Sequence, residues 1–258
     1  MARKLALITG ASSGLGAEFA RIAAREQHDV VLVARRLPEL EALARELRAA
    51  HGVEARAIAS DLSGPGAPQA LFDALEARPV DVLINNAGFG DTGAFLDLPL
   101  ARASEMLELN CRALLELCWL FGRGMRERRS GRVLNIASTA GFQPGPFMAT
   151  YYASKSFVIS LSEALAWELR ESGVTVTAHC PGATATGFAS TAGNARSRLF
   201  QQRAPAGAAE VAAHGWRAMQ AGKTLAVHGA LNRLGAFGVR LSPRKLAAAL
   251  AAALNRPA

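Results

Sequence analysis

The sequence predicts a doubly wound α/β domain, in which helices cover both faces of a mostly parallel, seven-stranded sheet. Short apolar runs rich in β-branched residues recur along the chain, as expected for strands buried on both faces. Longer segments with helical periodicity alternate with these runs, which is the pattern of βαβ units. No linker or internal repeat interrupts the 258 residues, so we expect a single domain over residues 1–258.

The predicted strands cover residues 5–9, 30–34, 55–59, 80–85, 132–137, 175–180 and 224–228. In the helix after the second strand, Leu40, Leu43, Leu47 and Ala50 share one face, which we expect to be buried. Further helices are predicted near residues 101–127 and 151–171, and over 208–221 and 246–254. Residues 187–206 are rich in Gly, Ala, Ser and Arg and fit neither pattern, so they predict a loop or lid over the substrate.

Charge and cysteine content limit the classes of partner. The formal charge is +8, but the basic residues are spread along the chain, without zinc-finger spacing or interleaved aromatic residues. We therefore expect no nucleic-acid partner, and a basic surface that favours an anionic cofactor. Three cysteines without CxxC spacing indicate reduced core residues, and the scattered histidines predict no metal site. The first apolar run is too short for a signal sequence, so a cytoplasmic enzyme is expected.

A glycine-rich turn joins the first predicted strand to an amphipathic helix. It reads Thr9-Gly10-Ala11-Ser12-Ser13-Gly14-Leu15-Gly16. Glycines at this place let backbone N–H groups approach a pyrophosphate at the start of the helix. The G-x-x-x-G-x-G spacing differs from the common G-x-G-x-x-G pattern, and glycine also serves any tight strand-to-helix turn. The position directly after a buried N-terminal strand favours a nucleotide site.

Together with that turn, five further motifs occur in the order and separation of a known family. They are Asn85-Asn86-Ala87-Gly88 after the fourth strand, Asn110 in the next helix, Ser138 after the fifth strand, Tyr151-Tyr152-Ala153-Ser154-Lys155, and Pro181-Gly182 with Thr186 after the sixth strand. Over residues 4–186 the chain resembles the main single-domain branch of the short-chain dehydrogenase/reductase family. The resemblance implies a Rossmann-like fold, an NAD(P)-dependent oxidoreductase acting on CH–OH groups, and a homodimer or homotetramer.

Four residues are expected to be catalytic: Asn110, Ser138, Tyr151 and Lys155. Tyr151 and Lys155 are four residues apart in a helix and therefore share a face. A cation beside the phenol is expected to lower its pKa from about 10, so that Tyr151 can exchange a proton with a carbonyl or alcohol oxygen. Ser138 can donate a hydrogen bond to the same oxygen. The resemblance gives Asn110 a water that links Lys155 to solvent, and Tyr152 is expected only to pack.

The end of the second strand predicts NADP(H), with NAD(H) as the alternative. NAD binding calls for an acidic residue where this chain has Ala34, and Arg35 and Arg36 follow. An arginine there can pair with the extra phosphate of NADP, and we expect Arg35 before Arg36; two ordinary surface arginines are the other interpretation. The resemblance adds cofactor contacts from Gly10, Ser12, Ser13, Gly14, Leu15, Gly16, Asp61, Leu62, Asn86, Ala87, Gly88, Tyr151, Lys155, Pro181, Gly182, Thr184 and Thr186.

The expected reaction is hydride transfer between the nicotinamide and a ketone, aldehyde or secondary alcohol. Ser138 and the apolar residues Phe142, Phe147, Met148, Phe188 and Phe200 predict a hydrophobic substrate pocket, although aromatic residues in loops often only pack. Three alternatives stay open. They are a catalytically idle NADPH-binding regulator or sensor, a nucleotide-sugar epimerase or dehydratase, and an enzyme at a membrane surface. For the helix at 246–254, contact within the domain or an oligomer is favoured over contact with a membrane.

Overall fold

The computed structural model describes residues 3–75, 78–188 and 205–256. Within them, seven parallel strands form one sheet in the order β3-β2-β1-β4-β5-β6-β9. These strands are β1 Leu5–Thr9, β2 Asp29–Ala34, β3 Ala55–Ala59, β4 Val82–Asn85, β5 Gly131–Ile136, β6 Val174–Cys180 and β9 Leu225–Val227. A small parallel pair comprises β7 Thr184–Ala185 and β8 Ala206–Gly207. The doubly wound fold class is confirmed.

The helices cover both faces of the sheet, so strand side chains are buried on alternate sides. The helices are α1 Gly14–Arg25, α2 Leu37–His51, α3 Ala67–Asp73, α4 Leu100–Leu107, α5 Leu114–Glu127, α6 Ala149–Glu168, α7 Ala208–Gln220, α8 Ala230–Leu241 and α9 Arg244–Asn255. Along β1, Ala6 and Ile8 join the core under α1, α2 and α7, whereas Leu5 and Leu7 join the core under α3, α5 and α6. Because successive side chains of a strand point to opposite faces and both faces are covered, every residue of the strand is buried, which explains the continuous apolar runs.

The predicted strands lie within two residues of their observed bounds, but three details of the helices are corrected. Ala50 is exposed, and Ala44 occupies the buried position instead, one helical turn after Leu40. The last helix is longer than predicted, because Pro243 ends the preceding turn and α9 begins directly after it. Helix α8 was not predicted, since Gly235 and Gly238 lower its helix propensity. Most of the predicted lid, residues 189–204, lies outside the described residues.

The strand order reverses between β1 and β4, which opens a crevice at the carboxyl ends of these strands. β1 ends at Thr9, β4 at Asn85, β5 at Ile136 and β6 at Cys180. The motifs singled out in the sequence directly follow these ends. The topology therefore brings together residues that are up to about 170 positions apart in the chain.

Candidate active site

Thr9 connects the glycine-rich turn to the end of β4 by hydrogen bonds. Its Oγ1 accepts hydrogen bonds from the backbone N–H groups of Asn86 and Ala87, both at 3.0 Å. The Asn86 side-chain amide donates to the carbonyl oxygens of Thr9 at 2.9 Å and Gly10 at 3.2 Å. Neighbouring strands thus hold the turn in place before any ligand binds. This role of Thr9 was missed, because the hydroxyl's partners follow a strand more than seventy residues later.

The turn has the geometry of a phosphate cradle. Gly10 and Gly14 have φ values of +66° and +57°, a region that side chains disfavour. A Cβ at Gly16 would lie 2.2 Å from the carbonyl oxygen of Gly10. Helix α1 begins at Gly14, and its N-cap residue Ser13 makes no side-chain capping bond. The first N–H groups of the helix can therefore bind an anion, so the residues present fit a pyrophosphate.

The two arginines after β2 lie in different places. The Arg36 guanidinium donates to the Ser12 and Ser13 hydroxyls at 2.9 and 3.0 Å, beside the cradle. Arg35 lies 3.5 Å from Glu105 and 4.0 Å from Asp61, so its charge is shared with carboxylates. The guanidinium that contacts the glycine-rich turn is therefore that of Arg36, which also pairs with Glu39 at 3.4 Å.

The opposite wall of the crevice comes from the segment after β6. Pro181 accepts a hydrogen bond from the Thr139 N–H at 2.9 Å, and Thr184 Oγ1 donates to the Gly182 carbonyl at 3.0 Å. Thr186 lies next to the cradle, because a Cβ added at Gly14 would be 3.2 Å from the Thr186 side chain. The predicted cofactor residues of both walls therefore enclose one cleft.

Three other predicted cofactor residues make contacts within the protein. The Asp61 carboxylate accepts hydrogen bonds from the hydroxyl and the N–H of Ser63, which lower the pKa of Asp61. Leu62 is buried in the core under α3 and α5, and Leu15 packs partly against the opposite core. The Leu15 and Leu62 side chains hold their segments in position, whereas the Asp61 side chain is 51% exposed beside the crevice.

Tyr151 and Lys155 lie one helical turn apart on α6, and both are buried. The Lys155 Nζ is 5.7 Å from the centre of the Tyr151 ring and donates to the carbonyl oxygen of Ile136 at 2.7 Å. That carbonyl ends β5, immediately before the segment that carries Ser138. The four-residue spacing of Tyr151 and Lys155 thus places both side chains on the face of α6 that lines the crevice.

Burial governs the ionisation of this pair. It raises the pKa of the Tyr151 phenol above its ordinary value of 10, against an opposing effect of a hydrogen bond with Ser138. It also lowers the pKa of Lys155 to about 8. The expectation that the cation lowers the tyrosine pKa is wrong for the protein alone. The desolvation of the buried phenol dominates and raises its pKa.

The Ser138 hydroxyl is oriented by its own turn. Its Oγ accepts a hydrogen bond from the Ala140 N–H at 3.1 Å, which caps the 3₁₀ turn Thr139–Phe142. Ser138 also interacts with the Tyr151 phenol, and this interaction opposes the rise in the phenol pKa. A serine hydroxyl has one donor and two acceptor lone pairs, so with Ala140 bound at one lone pair Ser138 can still donate its proton to a substrate oxygen.

Asn110 lies in a π-helical segment, Glu108–Ala113, between α4 and α5. The wider turn directs its amide inward, as π turns at functional sites often do. Oδ1 accepts from the Phe89 N–H at 3.1 Å, while Nδ2 donates to the Phe89 carbonyl at 2.9 Å and to Ser154 Oγ at 3.1 Å. A Cβ at Gly88 would lie 2.8 Å from Oδ1 and 3.7 Å from Lys155 Nζ. Gly88 therefore keeps a narrow space between Asn110 and Lys155.

The structure brings together only some of the predicted substrate residues. The Phe188 ring lies 5.2 Å from the Tyr151 ring, and Met148 is buried in the same cluster. Phe142 instead packs against the core under α6, because the 3₁₀ turn directs it away from the crevice. Phe147 has a φ of +66° and lies under the Arg256 guanidinium. Phe200 lies outside the described residues.

A contact near the site was not foreseen from the sequence. The Tyr152 hydroxyl donates to Asn255 Oδ1 at 3.2 Å, and Asn255 Nδ2 donates to the Pro146 carbonyl at 3.2 Å. These bonds attach α9 to the loop before α6. No local pattern signals them, since the partners are over one hundred residues apart.

Among the described residues, no group of three His, Cys, Asp or Glu side chains has the arrangement of a metal site.

With this geometry established, known proteins provide a comparison. A family model described as short chain dehydrogenase matches residues 4–197. The ketoacyl reductase HetN of Nostoc sp. is 40% identical over 181 residues, which cover 69% of this chain and 63% of HetN. The crystal structure of a short-chain dehydrogenase from Sphingobium yanoikuyae in complex with NADPH has a TM-score of 0.83 at 33% identity, covering 92% of this chain and 94% of that chain.

A short-chain dehydrogenase/reductase from Burkholderia phymatum in complex with NAD has a TM-score of 0.82 at 30% identity, covering 93% of this chain and 95% of that chain. The solved structures that resemble this chain therefore include both NADPH and NAD complexes. The chain spans less than two-thirds of the length of HetN.

Proposed function

Because this chain belongs to the short-chain dehydrogenase/reductase family, we propose that it is an NADP(H)-dependent oxidoreductase that interconverts a ketone or aldehyde with the corresponding alcohol. The single observation that carries the proposal is the buried pair Tyr151 and Lys155, one turn apart beside Ser138 at the carboxyl ends of the strands. The glycine cradle lies at the ends of the same strands, where a dinucleotide can reach both places.

When bound, the reduced nicotinamide supplies the hydride. Ser138 donates a hydrogen bond to the carbonyl oxygen and orients it toward Tyr151. The Tyr151 phenol then donates its proton to that oxygen as negative charge develops on it. Lys155, held by the Ile136 carbonyl, keeps a positive charge under the phenol ring, which stabilises the phenolate that remains.

Tyr151 must recover a proton before the next cycle. Lys155 has a lowered pKa, and the space kept by Gly88 separates its Nζ from Asn110. A water in that space would connect the ammonium with the Asn110 amide, as the resemblance to the family implies. Asn110 is therefore proposed as the positioning residue of a proton path, since its amide is fixed by both backbone groups of Phe89.

In the protein without cofactor, Tyr151 is in the protonated state that reduction of a carbonyl requires. Burial raises the phenol pKa, so the side chain carries its proton at neutral pH and can act as an acid without prior ionisation. Oxidation requires the phenolate, and hence the further positive charge of an oxidised nicotinamide nearby.

A hydrophobic carbonyl compound is the proposed substrate. Phe188 and Met148 line the side of Tyr151 with apolar surface, and HetN, a ketoacyl reductase, makes 3-ketoacyl compounds the first candidates. A panel of ketones, aldehydes and 3-ketoacyl thioesters, followed at 340 nm with NADPH and NADH in parallel, tests the proposal. Oxidation of NADPH that depends on the carbonyl compound is expected. Cofactor binding without turnover on any member would favour the regulator or sensor instead.

NADP(H) is the proposed cofactor, and Arg36 is the proposed phosphate partner. We expect Arg36→Gln to raise the KM for NADPH about 10- to 100-fold and leave that for NADH nearly unchanged, since one charge-assisted contact with a phosphate is lost. Steady-state kinetics with both cofactors measure this difference. Arg45→Gln, an exposed arginine of α2, is the control. An equal rise in both KM values would remove Arg36 from phosphate recognition.

The buried Lys155 also predicts a pH dependence of stability. Its pKa is about 8 in the folded protein, against 10.5 when unperturbed, so between these values the unfolded chain binds more protons and stability rises with pH. Relative to Lys155→Met, the wild type should gain up to about 2 kcal/mol between pH 7 and 9.5. Urea unfolding at both pH values measures this gain, with the exposed Lys223→Met as control. Parallel pH curves for the wild type and Lys155→Met would contradict the lowered pKa.

A homodimer or homotetramer built on α5 and α6 is also proposed. Both helices expose large apolar side chains in this chain, namely Leu115, Trp119, Phe157 and Trp167. Leu115 and Trp119 are one turn apart on α5, and exposed apolar side chains that share a helix face commonly mark an interface. These residues lie within the helices predicted near residues 101–127 and 151–171.

A further inference from the structure

The two C-terminal helices expose an apolar surface that no part of the described chain covers. On α8, large apolar side chains recur at intervals of three or four residues, so they form one stripe along the helix. Their exposed fractions are 63% for Leu231, 68% for Leu234, 59% for Phe237 and 76% for Leu241. On α9, Leu246 and Leu250 are one turn apart and are also exposed. We call these six residues the C-terminal apolar face.

The charge of the protein is concentrated in the same third of the chain. Residues 172–258 contain ten of the 29 Lys and Arg residues but only one of the 21 Asp and Glu residues, Glu210. Their formal charge is therefore +9, and the preceding 171 residues, with 19 basic and 20 acidic residues, carry −1. The net charge of +8 thus arises entirely from the region that ends in α8 and α9.

The cations on these helices are available to a partner. Arg233 and Arg240 on α8, and Arg244 and Lys245 at the start of α9, are all exposed. The ion pairs found among residues 3–75, 78–188 and 205–256 involve none of the four. On α8, Arg233 and Arg240 lie one heptad apart, at the border of the stripe formed by Leu234, Phe237 and Leu241. The arrangement is that of an amphipathic helix with basic residues beside its apolar side.

We infer that α8 and α9 form a docking surface for an anionic lipid bilayer, with the helices lying in the plane of the interface. Both helices have twelve residues, and no helix of the described ranges is long and apolar enough to cross a membrane. A second copy of this chain fits poorly, because it would bring like charges together around the apolar contact. A lipid headgroup region supplies the negative charge, and the acyl boundary accepts leucine and phenylalanine side chains.

This surface adjoins the active site. Helix α8 packs against the 3₁₀ turn that follows Ser138, and its Asn232 amide lies against Gly182, where a Cβ would approach it to 2.5 Å. On α9, the side opposite Leu246 and Leu250 is buried, with Ala251 in the same cluster as Tyr151 and Tyr152. The bilayer would therefore meet the protein beside the wall of the substrate pocket.

Sedimentation with vesicles tests the inference without relying on enzyme activity. The full chain is mixed with vesicles of pure phosphatidylcholine, or of phosphatidylcholine with about one-third phosphatidylglycerol. We expect binding to the anionic vesicles that weakens at high salt, and little binding to the neutral ones. The pair Arg240→Gln and Arg244→Gln should weaken binding about 25-fold, or fivefold for each charge removed. Arg25→Gln with Arg45→Gln, two exposed arginines elsewhere, should change it less than twofold.

The apolar contribution is tested by Leu234→Glu with Phe237→Glu, which should reduce vesicle binding at least tenfold. Leu96→Glu is the matched control, because Leu96 is exposed on a different part of the chain. Equal binding to neutral and anionic vesicles, or binding that none of the C-terminal variants changes, would overturn the inference. The inference would also be overturned if the wild type did not bind vesicles and the Phe237 variant formed a smaller oligomer than the wild type in light scattering. A second copy of the chain would then cover the C-terminal apolar face.

Discussion

Tyr151→Phe is expected to lower turnover about a thousandfold while leaving the affinity for NADPH within about twofold. The phenol is the group that protonates the carbonyl oxygen, and loss of a general acid costs a factor of 10² to 10⁴. The ring itself remains against Phe188 and over Lys155, so the shape of the pocket is kept. Steady-state rates at saturating NADPH give the first value, and titration of NADPH fluorescence gives the second.

Tyr152→Phe is the matched control, because it removes a hydroxyl from the neighbouring residue on the same helix. That hydroxyl donates to Asn255 and not to the substrate crevice. The control should keep most of the turnover and lose about 1 kcal/mol of stability, the usual contribution of one buried hydrogen bond. Full turnover by Tyr151→Phe, or an equal loss in the two variants, would exclude Tyr151 as the proton donor.

Gly16→Ala is expected to weaken NADPH binding at least a hundredfold. The new methyl group would lie 2.2 Å from the Gly10 carbonyl oxygen and 2.7 Å from the Asn86 amide nitrogen, both parts of the tightly held turn. Backbone at that distance must move, and the N–H groups of the cradle move with it. The same strain should cost about 1–3 kcal/mol of folding free energy. NADPH titration and urea unfolding measure the two effects separately.

Gly122→Ala provides the comparison, since this glycine also lies in a helix, where an added Cβ meets nothing within 4 Å. Alanine there should keep NADPH binding and stabilise the protein by about 0.5–1 kcal/mol, through its better helix propensity. If Gly16→Ala bound NADPH as tightly as Gly122→Ala, the turn between β1 and α1 would not be the phosphate cradle.

The order of the elements was predictable because each depends on a local pattern. Strands such as β1 and β2 are largely apolar runs, and the helix faces follow from residues such as Leu40 and Leu47. The exception, α8, shows where local patterns fail. Gly235 and Gly238 lower the helix propensity of α8, and its large apolar side chains are exposed. Neither helix propensity nor an expected buried face therefore predicted this helix.

The candidate site was predictable to the level of which residues share the crevice. Tyr151 and Lys155 share a helix face by their spacing alone, and parallel strands bring their following loops to one edge. The state of those residues was not predictable, because it depends on solvent exclusion by distant segments. The raised pKa of Tyr151, and the hydrogen bonds from Arg36 to Ser12 and Ser13, are both seen only in the packed structure.

The sequence by itself determined the fold class, the glycine-rich turn and the set of polar residues around Tyr151. Each of these follows from short-range spacing, which the periods of helix and strand convert directly into geometry. Only the tertiary structure decided the burial, the hydrogen bonds and the exposure of those groups. It buried the phenol and the ammonium, engaged Asn110 with Phe89, and left the apolar residues of α8 uncovered. Burial and long-range contact arise from the whole chain folding together, so no local pattern contains them.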